Sequence, residues 1–132
     1  MELKVGIKGN TKVTVTKEML ASQIGSGMID VFSTPYMVAL MESAAQKSVA
    51  ECVGEGNVTV GTKLEISHLA ATPLGMDAWA ESELVEVDGR RLVFKVAAFD
   101  ECGMIGEGMH ERFIVGAEKF VAKCQAKLEK KN

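Results

Sequence analysis

From Ser33 to Val53 the chain is apolar on nearly every side of a helical projection, which predicts a central helix held inside the domain. Ser33 or Thr34 can cap its first turn, and Pro35 suits the first helical position, where a missing N–H costs nothing. Met37, Val38, Ala39, Leu40, Met41, Ala44, Ala45, Val49 and Val53 leave little polar surface behind them. Glu42 interrupts this pattern. At about 100° per residue it shares a stripe with Val38, Ala45 and Val49, whereas Lys47 and Glu51 point away. A carboxylate on such a stripe is costly to desolvate unless paired, so Glu42 is the first candidate functional residue.

On either side of the helix the period changes from 3.6 to 2. Leu3 to Thr16 carries a Gly9-Asn10 turn signal and a β-rich run from Val13, predicting one or two short strands. Lys17 to Ile24 suits a helical turn, which Gly25-Ser26-Gly27 then breaks. That glycine-bearing segment, ending in Met28-Ile29, reads as a lid over a pocket or as a plain connector. Beyond the helix, Gly54, Gly56 and Asn57 form a stop. Val58, Val60, Thr62, Leu64, Ile66, His68 and Ala70 then fall on one face, opposite Thr59, Lys63, Glu65 and Ser67. This predicts a long half-buried strand with His68 inward. Met76 to Val87 is a second strand, Asp88-Gly89 a tight hairpin turn, and Arg91 to Phe99 a third strand. Met104 to Val115 is a fourth, with Gly106, Gly108, His110 and Arg112 on one face and room beside the glycines for a close approach. From Ala117 a lysine-rich helix is expected, with Phe120, Val121, Cys124 and Leu128 as its apolar side. One buried helix followed by an antiparallel meander implies an α+β domain whose sheet wraps the helix.

Composition narrows the function. The 132 residues suffice for one domain, 1–132, with a real core, and they are 47% hydrophobic and 25% charged. A net charge of −3 offers no electrostatic footprint for nucleic acid. The first ten residues show no apolar signal core, and no run approaches the ~18 apolar residues that span a bilayer. Cys52, Cys102 and Cys124 are odd in number and lack CxxC spacing, which points to reduced thiols and a cytoplasmic protein rather than disulfides or a zinc site.

The order of elements is similar to the hotdog fold, and several motifs sharpen the likeness. Ser33-Thr34-Pro35 with Met41-Glu42, Val60-Gly61-Thr62, Ser67-His68-Leu69-Ala70-Ala71-Thr72-Pro73, Val87-Asp88-Gly89-Arg90-Arg91 and Gly106-Glu107-Gly108-Met109-His110-Glu111-Arg112 follow in sequence. Together they resemble the fluoroacetyl-CoA thioesterase family of hotdog proteins from about Met28 to the last helix. The resemblance implies hydrolysis of a small or medium acyl-CoA by a homodimer, with Thr34, Glu42 and His68 as the catalytic set. It implies no metal or redox cofactor, coenzyme A entering only as part of the substrate. It also places Met28, Phe32, Gly61 and Arg112 beside the acyl group. The fluoroacetyl-selective branch carries aromatic lid residues just before the threonine. Here Gly25 to Val31 has none, which leaves Phe32 and Met28 as the gating side chains and selectivity for a fluorinated acyl group open.

The residues support this chemistry in their own right. Thioester hydrolysis needs an activated water or nucleophile and stabilisation of a developing oxyanion. Thr34 stands at a helix N-terminus, whose unpaired N–H groups favour negative charge. Glu42 is eight residues on, about 12 Å along the axis and some 80° around it, so a substrate or a partner subunit must bridge the two. His68 is placed to donate to Glu42 or to the leaving thiolate. Each residue also has a structural reading: Thr34 as a helix cap, His68 as a core histidine, Glu42 with His68 as a buried pair, Arg112 as partner of a carboxylate. Arg90, Arg91 and the lysines of the last helix suit either coenzyme A phosphates or a solvated face. A non-catalytic acyl-CoA binder and a cystatin-like ligand carrier are the competing functions.

Overall fold

The computed structural model describes residues 1–131. Five strands, β1 (Lys8–Thr14), β2 (Asn57–His68), β3 (Asp77–Asp88), β4 (Arg91–Asp100) and β5 (Gly103–Gly116), form one antiparallel sheet in the order β1-β3-β4-β5-β2. A single turn of 3-10 helix (Lys17–Met19) and the short α1 (Ala21–Ile24) precede the long helix α2 (Thr34–Val49). The chain closes with α3 (Ala117–Gln125) and α4 (Lys127–Lys130).

Helix α2 lies across β1, β3 and β4 and supplies the middle of the core. Met37, Met41, Ala44, Ala45 and Val49 are buried against Ala78, Ala80, Leu84, Leu92, Phe94 and Val96. Side chains of the size of Phe94 or Leu92 each contribute about 1.5–3 kcal/mol when removed from water. The helix begins at Thr34 because Ser33 is its N-cap, with the Tyr36 backbone N–H donating to Ser33 Oγ at 3.3 Å. Pro35 is therefore the second helical residue, not the first. The helix ends at Val49, four residues before the expected Val53, which remains buried in the turn that follows.

Gly9 does not turn the chain. It lies inside β1, where a Cβ would come 2.4 Å from the Ala44 carbonyl oxygen and 2.7 Å from Ser48 Cβ, so its lack of a side chain lets α2 approach the sheet. The Asp88-Gly89 signal does form a hairpin: Asp88 pairs with Arg91 across it, and Gly89 has φ +60°. The expected face of β2 holds only in its second half. A bulge between Gly61 and Lys63 inserts one residue and reverses the alternation. Thr59 and Gly61 consequently face inward with Leu64, Ile66 and His68, while Val58 and Thr62 are exposed. The expected last helix is two, α3 and α4, and its apolar residues Phe120, Val121 and Leu128 are exposed in the single chain. Among the described residues no helix is long and apolar enough to cross a membrane.

Candidate active site

The start of α2 and the end of β2 meet. The Leu20↔Phe32 bridge, and the Ser33 N–H donating to the Met19 carbonyl at 3.0 Å, pin the chain just before the helix. Phe32, itself buried, donates its N–H to the Thr72 carbonyl at 2.9 Å, so the loop after β2 holds the helix entrance from the other side. Thr72 is fixed in turn by its hydroxyl donating to the buried Asp100 carboxylate at 2.7 Å. In this frame Thr34 Oγ1 lies 2.6 Å from His68 Nδ1. Both line a cavity of about 320 Å³ together with Phe32, Ser33, Leu69 and Ser26. Burial pushes the His68 imidazole below its ordinary value, partly offset by the Ala70 backbone, so the ring is neutral at pH 7. Thr34 Oγ1 and the neutral ring's Nδ1 share one hydrogen bond whose direction follows the tautomer, and His68 Nε2 is buried with no hydrogen-bond partner among the described residues.

Glu42 belongs to a second cluster two turns along α2. It is not fully desolvated, its side chain being 38% exposed, and its Oε2 lies 3.9 Å from Arg112 Nη1. Arg112 is held by the inward part of β2: its Nε donates to Thr59 Oγ1 at 2.8 Å and its Nη2 to the Thr59 carbonyl at 2.9 Å. Its Nη1 is 3.0 Å from His110 Nε2, and His110 Nδ1 is 2.9 Å from the Lys63 carbonyl. Gly61 completes the group, since a Cβ there would sit 2.9 Å from Glu42 Oε2 and 3.2 Å from His110 Cε1. Burial pushes the Arg112 guanidinium down and the Glu42 carboxylate pushes it back up.

The expected residues are therefore distributed as follows. Thr34 and His68 are joined by a hydrogen bond, with Phe32 lining their cavity. Glu42, Gly61 and Arg112 meet each other, and His68 bonds Thr34 rather than Glu42. Met28 stands apart, 96% exposed at the tip of the loop between α1 and Phe32. That loop is closed at its base, where Ser22 Oγ donates to Asp30 and the Ala21 N–H to the Val31 carbonyl. Thr59 is the member of the second cluster that no sequence signal pointed to, whereas His110 shares the expected strand face with Arg112. A larger cavity, about 610 Å³, opens over β1, β3 and β4 beside Trp79 and Lys95 and touches none of these residues.

One long helix packed across an antiparallel sheet, with a hydroxyl and an imidazole at its N-terminal end and a carboxylate two turns along, is the arrangement of a hotdog-fold thioesterase. The sequence model of the family "Fluoroacetyl-CoA-specific thioesterase" matches residues 15–118. The chain belongs to that family. It is 42% identical over 98 residues, 74% of this chain and 70% of the relative, to the fluoroacetyl-CoA thioesterase of Streptantibioticus cattleyicolor. A crystal structure of a fluoroacetyl-CoA thioesterase superposes with a TM-score of 0.91 at 33% identity, over 96% of this chain and 98% of the other. A variant of that enzyme solved with fluoroacetate and CoA gives 0.84 at the same identity, over 89% and 99%. A hot-dog-like protein from Thermanaerovibrio acidaminovorans, 23% identical over 95% and 93% of the two chains, shares the fold with a TM-score of 0.84. The cystatin-like arrangement is thereby replaced by the hotdog fold, and nothing supports a non-catalytic binder.

Proposed function

We propose that this thioesterase hydrolyses small or medium acyl-CoA thioesters to the free acid and CoA, with Thr34, Glu42 and His68 as its catalytic residues. The observation that carries the reading is the Thr34–His68 hydrogen bond at the mouth of a cavity. In the tautomer whose Nδ1 accepts, a hydroxyl hydrogen-bonded to this neutral, partly buried imidazole is prepared to attack a carbonyl carbon or to orient a water toward it. Glu42 faces Arg112 only at 3.9 Å and is half-exposed, so its carboxylate is available to act on the acyl group or on a water. Arg112 has N–H groups to spare for a substrate oxygen, and Gly61 leaves open the space between them. Phe32 forms one wall of the acyl cavity, and Met28, exposed at the tip of the loop that also carries the cavity residue Ser26, gates it only by a movement of that loop. No cofactor enters this reading apart from the coenzyme A of the substrate.

The reading includes a cytoplasmic homodimer. Among the described residues strand β2 pairs only with β5, so twelve residues of sheet edge are left open, which an isologous copy would cover. That edge strand carries both Gly61 and His68, and a second copy pairing there lies beside both clusters. Three free cysteines agree with a reducing compartment.

Free-thiol release from a panel of acyl-CoA thioesters tests the function, and light scattering at micromolar concentration tests the assembly. Turnover of short acyl-CoA by a particle of twice the chain mass is expected. Binding without thiol release, or a monomer with full activity, would contradict the respective parts.

A further inference from the structure

We infer that His110 is a positioning residue for Arg112: a neutral imidazole that aims the guanidinium at Glu42 and the space over Gly61 without neutralising it. The inference rests on Arg112 meeting the acyl substrate. His110 is fully buried, its ring 6.3 Å from that of Phe94. The Lys63 carbonyl can only accept, so His110 Nδ1, 2.9 Å away, carries the proton and donates it. Nε2 is then an acceptor, and it faces at 3.0 Å the Nη1 of Arg112, which can only donate. One neutral tautomer satisfies both contacts, and no other form of the ring does.

Thr59 holds the remaining two nitrogens of the guanidinium, through its hydroxyl and its carbonyl. With all three nitrogens tied, the plane of Arg112 is fixed. The second N–H of Nη1 remains for Glu42 Oε2 and for a substrate oxygen above Gly61. The choice of imidazole has a physical reason. A carboxylate at this position would form a close ion pair and cancel the charge of Arg112, whereas a neutral acceptor orients the cation and leaves its field directed into the site. The bulge of β2 between Gly61 and Lys63 brings Thr59 inward and sets the Lys63 carbonyl against the ring, so strand geometry and side-chain orientation are coupled here.

Two substitutions separate positioning from filling. His110→Gln places a carbonyl oxygen near the position of Nε2 and can still accept from Arg112. His110→Asn keeps an N–H near Nδ1 for the Lys63 carbonyl but is too short to reach Arg112. With acetyl-CoA as probe, His110→Asn is expected to lower kcat/KM by about tenfold to a hundredfold, the upper figure being what a misplacement of about 1 Å can cost. His110→Gln is expected to stay within about threefold of wild type. In an Arg112→Lys background, His110→Asn should cost nothing further. Equal losses in the two His110 variants, no loss in His110→Asn, or losses that multiply with Arg112→Lys would each overturn the inference. Wild-type kcat and KM in Arg112→Lys would overturn the reading of Arg112 itself, and the inference with it. A readout independent of turnover is solvent exchange of the Arg112 Nε–H. It should be slow in wild type and in His110→Gln, and exchange as fast as that of an exposed arginine in wild type would contradict a fixed guanidinium.

Discussion

Thr34 Oγ1 stands 2.6 Å from His68 Nδ1, joining the first residue of the central helix to the last residue of the edge strand. The contact spans 34 residues of sequence and depends on neither element alone. Ser33 takes the capping role, which leaves the Thr34 hydroxyl free to face the imidazole.

Acid should destabilise the protein over two separate pH windows. Burial holds His68 below the ordinary histidine value of about 6.5. Burial does the same for His110, reinforced by Arg112 and opposed by the Lys63 carbonyl and Glu42. The unfolded chain therefore binds these protons where the folded one does not. Their stabilising contribution is complete above about pH 6.5 and is lost as pH falls toward the folded values. Asp77, held down by Thr14 and Lys12, and Glu111, held down by Arg91, add a second loss that begins only below about pH 4.5. The melting temperature should hold from pH 8 to 7, fall below 6.5, and fall less steeply in His110→Gln. A melting temperature constant from pH 7 to 5 would contradict this.

Met28 is almost wholly exposed, so a bulky aromatic there should leave stability unchanged. If the loop gates the acyl cavity, Met28→Trp should change the ratio of rates on short and long acyl-CoA substrates. Unchanged ratios would show that the loop is only a connector.

Gly9→Ala forces a methyl group against the backbone of α2, at 2.4 Å from the Ala44 carbonyl oxygen. The helix cannot yield as a flexible side chain would, and overpacking of this kind costs about 1–3 kcal/mol. Thermal unfolding should show the loss, and an unchanged melting temperature would mean that the helix sits farther from β1.

Much of this was legible in the sequence because its signals are local. A proline and hydroxyl residues before an apolar run mark the start of α2. Asp88-Gly89 marks the β3–β4 hairpin, and the shared face of Gly106, Gly108, His110 and Arg112 is a simple period of two. The bulge of β2 was not, because one inserted residue reverses every side chain beyond it and leaves the composition of the strand unaltered. Gly61 within a strand is the one local signal of the bulge. Gly9-Asn10 misled for a related reason: a glycine required for close packing resembles one required for a turn. The partnership of Thr59, His110 and Arg112 depends on the pairing of β2 with β5, with 53 residues separating Thr59 from Arg112, and no local pattern encodes that.

The central claim is that Glu42 does chemistry. Glu42→Gln keeps the shape and hydrogen-bonding capacity of the side chain and removes its charge. With the native side chain 38% exposed and 3.9 Å from Arg112, little stability depends on the charge, and the melting temperature should scarcely move. Loss of a catalytic base or nucleophile should lower turnover by roughly a hundredfold or more. Hydrolysis and thermal unfolding measured on the same samples decide the matter: a folded, nearly inactive Glu42→Gln protein is predicted, and a folded one with wild-type turnover would contradict the assignment.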